Sequence, residues 1–157
     1  MRHNRQSRSD ARSARDIALE LLARREHSRH ELRQKLVHRG FDADEVSALL
    51  DSLSAERLQS DARFVESYVH ARQTRGFGPG RIRMELKERG IADLLIDQQV
   101  DERADHWREL LRVQYRKRYG DSSICDYAER ARRGRFLQQR GFSTEMVARF
   151  LSEMHTN

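Results

Sequence analysis

His27 and His30 are the closest thing in this chain to a metal-ligand pair, since on one helix a spacing of three turns both imidazoles to the same side. Ser28 reads as a helix start between them, which puts them on different elements, and both are better accounted for as surface histidines. Cys125 is the sole cysteine. A catalytic thiol needs a neighbouring base or cation to become a thiolate, and none is evident nearby in sequence. A partly buried structural cysteine is expected, with no internal disulfide, as suits a cytoplasmic, reducing setting. Gly76-Phe77-Gly78-Pro79-Gly80 has the glycine content of a phosphate loop, but no strand precedes it and no Lys-Ser or Lys-Thr follows. These residues assign no catalytic group, no metal and no cofactor, and an enzyme is not expected.

The basic runs are the remaining chemistry. Arg72, Arg75, Arg81, Arg83 and Lys87 surround the central glycines and are the first expected contacts for an acidic partner, with the arginines of the chain's last third in support. Arg116, Lys117 and Arg118 are flanked by Tyr115 and Tyr119. Arg130, Arg132, Arg133 and Arg135 form a third group. Guanidinium groups bind phosphates and carboxylates bidentately, and rings between them would suit single-stranded DNA. Tyr115, however, continues an apolar stripe with Trp107 and Leu111 and is better placed in a core. Arg39, Arg89 and Arg140 stand at helix ends, where the carbonyl terminus already favours a cation. A helix as charged as the one holding Arg132, Arg133 and Arg135 repels itself, and an acidic partner would relieve it. Net charge is +6 over 157 residues and the pI about 10.1, which points the same way. A base-composition bias would explain the arginine excess equally well.

The elements that must carry these groups are helices. Apolar residues are 37% and charged residues 36%, with one proline and eight glycines, so a single thick core is not expected and little punctuates the chain. No apolar run approaches the roughly 18 residues of a membrane span, and the basic N-terminus lacks a signal peptide's apolar stretch. Residues 1–13 read as a disordered basic tail. Ser28 and Glu31 form a capping box for a helix that Gly40 ends. A third helix then buries Val46, Leu49, Leu50 and Leu53. A helix opening at Ser60-Asp61 buries Phe64, Val65, Tyr68 and Val69. The next begins at Pro79, which suits a first turn, and stops at Gly90; after Ile91 another buries Leu94, Leu95, Ile96 and Val100. Trp107, Leu110, Leu111 and Tyr115 mark the next stripe, and Ser143 caps a last helix with Met146, Val147, Phe150 and Leu151.

Aligning Gly40, Gly90 and Gly141 exposes a repeat of 50 and 51 residues. Leu36, Leu86 and Leu137 lie four before; Arg39, Arg89 and Arg140 one before; Phe41, Ile91 and Phe142 one after. Val46, Ile96 and Val147 lie six after, and Leu50, Val100 and Leu151 ten after. Five matched positions at a nearly constant period indicate three copies of one three-helix unit, spanning 14–58, 59–101 and 102–157. Each unit of about 50 residues is marginal alone and gains from stacking on its neighbour. The third carries Arg133 where the others have Leu32 and Ile82, and Gly134 follows it, so it is expected to be the loosest.

ARREHSRHELRQKLVHRGF at 23–41, SDARFVESYVHAR at 60–72, RGFGPGRIRMELKERGI at 75–91 and FLQQRGFS at 136–143 resemble the RecX family of regulators of the RecA recombinase, with Gly76 to Leu86 the most specific part. The resemblance covers roughly Ala14 to Met154. It implies an all-α fold of three tandem three-helix repeats, elongated and curved; to this the residues add a thin basic array, in which flexible joints between repeats would let one chain touch more than one protomer. It also implies a monomer that lies in the groove of RecA–DNA filaments. There it would block filament extension, ATP hydrolysis, strand exchange and the coprotease activity of the SOS response. DNA, single- or double-stranded, would be touched weakly and without sequence preference. The alternative is a direct DNA-binding protein of helix-turn-helix type.

Overall fold

A computed structural model of the chain describes residues 12–154. Of the expected tail 1–13, residues 1–11 lie outside them, while Ser13 is the N-cap of the first helix. The described residues are all-helical, with α1 (Ala14–Arg24), α2 (Arg29–His38), α3 (Ala43–Ala55), α4 (Asp61–Thr74), α5 (Pro79–Glu88), α6 (Asp93–Gln99), α7 (His106–Tyr119), α8 (Tyr127–Gln139) and α9 (Thr144–Glu153). They fall into the three expected trios. Among the described residues no helix is long and apolar enough to cross a membrane.

Capping chemistry sets most of the starts. Ser28 Oγ accepts the Glu31 N–H at 3.1 Å, and the Glu31 carboxylate accepts the Ser28 N–H at 3.1 Å. Ser13 and Asp16 form a second capping box ahead of α1. Asp42, Asp126 and Ser143 cap α3, α8 and α9 through their side chains, each contributing about 1 kcal/mol. The three aligned ends share one geometry. The amides of Phe41, Ile91 and Phe142 reach back to the carbonyls of Leu36, Leu86 and Leu137 at 3.3, 3.2 and 3.3 Å. The intervening glycines take φ of +92°, +74° and +100°. This closure brings the residue after the glycine against the leucine at the start of the last turn, which is why both positions recur as apolar.

The chain divides into two compact units, 1–64 and 65–157. In the first, Ala18, Leu32, Leu36, Val46, Leu50 and Leu53 form the core, with Ile17, Leu21, Leu22, Phe41 and Leu49 packed on it. Asp61 closes the start of α2 by accepting the Arg29 N–H at 2.9 Å. The second unit holds the rest of the second trio and all of the third. Val65, Val69, Ile82, Leu86, Ile96 and Val100 are buried in the former. Leu111, Tyr115, Leu137, Phe142, Val147, Phe150 and Leu151 make the core of the latter.

Two packing expectations need correction. Leu94 is 70% exposed, because α6 is a seven-residue helix whose inward line runs through Ile96 and Val100, and residue 94 lies on the other side of the turn. The third repeat is not opened by its arginine. Arg133 is 2% exposed and donates to Tyr115 Oη, to the Ser122 carbonyl at 2.9 Å, to Ser122 Oγ and the Ser123 carbonyl at 3.1 Å, and to the Glu129 carboxylate. The guanidinium occupies the leucine position by tying the 120–125 loop down over α8. Gly134 lies against Leu151 and Val147, with room for a methyl group at ordinary contact distance.

Candidate functional site

His27 is buried, not a surface residue. Its Nδ1 lies 3.1 Å from the Arg25 carbonyl and its Nε2 3.2 Å from Lys35 Nζ. Burial holds its pKa below the usual histidine value, so the ring is a neutral acceptor for the lysine. Cys125 is exposed, not partly buried, because it sits in the loop ahead of the α8 cap; its N–H donates to Glu129 at 2.9 Å. Among the described residues no group of three or more His, Cys, Asp or Glu side chains could hold a metal ion.

The centre of the second unit's polar structure is a residue that sequence reasoning passed over, Glu85. It is buried on α5 and accepts from Tyr68 Oη at 2.7 Å, from Arg72 Nε at 2.7 Å and Nη2, and from Arg81 Nε at 3.0 Å. Burial pushes its pKa up, but these hydrogen bonds outweigh it and hold the carboxyl down at about 2. Tyr68 responds in the opposite direction, raised to about 12 by burial and by the bond it donates. Arg72 and Arg81 therefore share one carboxylate, which leaves the cluster with a net charge of +1, carried on the more exposed Arg81. Their guanidinium carbons lie 4.2 and 4.3 Å from the centre of the Phe77 ring.

The other predicted cations divide sharply. Arg83 is held by Asp97, by Glu102 at 3.2 Å and by the Val100 carbonyl at 3.0 Å. Lys87 pairs with Asp93 at 3.0 Å on the surface, and Arg75 is exposed. In the third repeat, Arg130 donates to the Leu151 carbonyl and to Ser152 Oγ, both at 3.1 Å, finishing α9. Arg133 is in the core. Arg116, Lys117, Arg118, Arg132 and Arg135 are exposed. Of these, Arg116 has only a 4.0 Å contact with Asp121 and Arg132 a 3.7 Å contact with Glu129, pairs whose exposed arginines make them worth little. Among the described residues, the predicted cations exposed without a close ion pair are Arg75, Lys117, Arg118 and Arg135, most of them on the last turn of α7 and the outer side of α8.

These two regions are joined by an arginine–ring ladder. Arg118 stands 5.6 Å over Phe136, Arg140 lies 5.5 Å from Phe136 and 5.2 Å from Phe77, and Arg81 and Arg72 cover Phe77 in turn. Both rings already have cations on them and are not open platforms for bases. The ladder can present guanidinium edges to phosphates or carboxylates; it cannot stack a strand of nucleobases. Phe77 had a signal that went unread: Arg75-Gly76-Phe77 is a further copy of the Arg-Gly-apolar ending, and the Phe77 N–H reaches back to the Arg72 carbonyl at 3.1 Å. Arg140 likewise does more than complete a helix end, since it donates to the Arg75 carbonyl at 2.9 Å.

Comparison with known proteins places this arrangement among relatives. Family profiles described as the first, second and third three-helix domains of RecX match residues 14–53, 60–98 and 108–151. "Regulatory protein RecX" of Pseudomonas fluorescens is 43% identical over 140 residues, covering 89% of this chain and 90% of that protein. Its namesake from Halorhodospira halophila is 43% identical over 135 residues, covering 86% and 84%. That from Ectopseudomonas mendocina is 44% identical over 139 residues, covering 88% and 93%. In fold, the chain superposes on the crystal structure of RecX from Lactobacillus salivarius with a TM-score of 0.76 at 22% identity, covering 92% of this chain and 96% of that one.

Proposed function

The chain belongs to the RecX family of regulatory proteins, and from that premise we propose that it restrains the RecA recombinase by binding RecA–DNA filaments. Seated in the filament groove, it would block extension and lower ATP hydrolysis, strand exchange and coprotease activity. It acts as a monomer without a catalytic step of its own.

One observation supports a particular contact surface: in the second repeat Arg83 is held by Asp97 and Glu102 and Arg72 by Glu85, which Arg81 shares, while in the third Lys117, Arg118 and Arg135 are exposed with no ion pair among the described residues and Arg116 has only a 4.0 Å contact with Asp121. The contact set expected from sequence is therefore reweighted toward the third repeat, with Arg75 joining it from the second. DNA contact through these groups is to backbone phosphates, hence weak, salt-sensitive and blind to sequence.

A helix-turn-helix reading gains nothing from the arrangement. Such a reading needs one basic second or third helix to enter the groove, yet the third helices α3 and α6 carry no Lys or Arg and α9 only Arg149, and the arginines of the second helices are spread over α2, α5 and α8 alike instead of concentrated on one.

The test is ATP turnover by RecA on single-stranded DNA. Sub-stoichiometric protein should suppress turnover, and replacing Arg116, Lys117 and Arg118 together by glutamate should raise the concentration needed at least tenfold. No suppression by equimolar wild-type protein would overturn the function. Full potency of the triple variant would overturn the surface.

A further inference from the structure

Gly76, Gly78 and Gly80 all face the third repeat. A Cβ on Gly78 would lie 2.5 Å from the Gly141 carbonyl carbon and 2.7 Å from the Phe142 nitrogen; on Gly80, 3.1 Å from the Gly141 oxygen; on Gly76, 2.1 Å from the Gln114 side-chain amide. The relation is mutual, since a Cβ on Gly141 would lie 2.4 Å from Arg81 Cβ. Bare backbone on both sides lets the two chains bond directly. The Gly78 N–H donates to the Arg140 carbonyl at 2.7 Å and the Gly80 N–H to the Gly141 carbonyl at 3.0 Å. Between them Pro79 has no N–H to leave unmet. Side chains clasp the joint from either side, Arg140 Nη1 to the Arg75 carbonyl at 2.9 Å and Arg81 Nη1 to the Gln139 carbonyl at 3.4 Å.

We infer that this glycine seam is a fixed joint, so that the second and third repeats meet a partner as one body, with Gly78, Arg140 and Gly141 as positioning residues that hold the cations of both repeats in one register. The spacing of the three glycines is explained by docking, with no phosphate involved. The flexible joint expected from sequence is absent at this boundary. Two carbonyls at consecutive positions, 140 and 141, meet donors at alternate positions, 78 and 80. The second acceptor belongs to the left-handed Gly141, whose carbonyl is turned toward α5 by the same backbone twist that ends α8.

The Gly80 amide gives a direct readout. It lies in the first turn of α5, where helix amides have no intrahelical acceptor, so any slowing of its hydrogen exchange reports the seam alone. In the full-length chain, residue-resolved NMR exchange should find the Gly80 N–H at least 100-fold slower than an unprotected amide. A Gly80 amide exchanging at the unprotected rate would overturn the fixed joint, whatever any variant does. Gly78→Ser then breaks the seam selectively. Gly78 has φ −82° and ψ 169°, open to any residue, and serine caps a helix at least as well as glycine, so α5 is not weakened. In this variant the Gly80 amide should return to within tenfold of the unprotected rate while the Leu86 and Leu137 amides stay protected; unchanged protection at Gly80 would overturn the assignment.

The positioning role rests on the filament reading. If it is right, Gly78→Ser should need at least tenfold more protein to suppress RecA ATP turnover. Full potency with an opened seam would overturn positioning. Failure of wild-type protein to inhibit would count against the filament reading and leave the exchange result to decide the joint.

Discussion

Glu85 offers a quantitative check on how the second unit is held. Its carboxyl is kept at about 2, against an ordinary 4.5; at about 1.4 kcal/mol per unit, the ionised form contributes roughly 3 kcal/mol to folding at neutral pH. The folded value is the depressed one, so this contribution is complete above pH 4.5 or so and is lost as pH falls toward 2. Between pH 7 and pH 3, about 2 kcal/mol of it should disappear. Glu85→Gln removes the titrating group and leaves Arg72 facing an uncharged amide in a mostly buried site, so the variant should be less stable at pH 7 by about 3 kcal/mol. Trp107, the sole tryptophan, is buried in the same unit, and its fluorescence during urea unfolding reads that unit selectively. Subtracting variant from wild type cancels the other depressed carboxylates, Asp16, Glu56 and Glu129. The difference should be flat from pH 5 to 7 and shrink steadily below pH 4.5. A pH-independent difference, or none at pH 7, would refute the claim that Arg72, Tyr68 and Arg81 stabilise the ionised form.

The two neighbouring positions at which the third repeat departs from the others should respond in opposite directions. Arg133→Ala removes a buried side chain and strands the Ser122 and Ser123 carbonyls that the guanidinium serves, and should cost about 1–3 kcal/mol; no loss of stability by Trp107-monitored unfolding would contradict its placement. Gly134→Ala adds a methyl group at 3.6 Å from Leu151 and 3.8 Å from Val147 inside a helix. It should raise stability by about 1 kcal/mol through helix propensity, and a lowered melting temperature would show that α8 and α9 pack more tightly than described.

By itself the amino-acid sequence determined most of what depends on near neighbours along the chain, the Ser13–Asp16 capping box and the Phe77 closure excepted. The capping box at Ser28 and Glu31, the closures at Gly40, Gly90 and Gly141, and the buried lines through Leu36, Leu86 and Leu137 need contacts only within one turn or one trio, so their residue types repeat at a readable period. The motif around Pro79 carried the family resemblance for the same reason: it is one continuous string along the chain. What only the tertiary structure decided is which charges are spent. Whether Arg72 is free or held depends on Glu85, thirteen residues away on another helix. Arg133 becomes a core residue only because a distant loop supplies carbonyls in place of water. The use of the three central glycines depends on Gly141, some sixty residues on, approaching too closely for any side chain. Local rules report where a helix begins and which side it buries; pairing of charges and contact between backbones are settled by distances that no period in the sequence encodes.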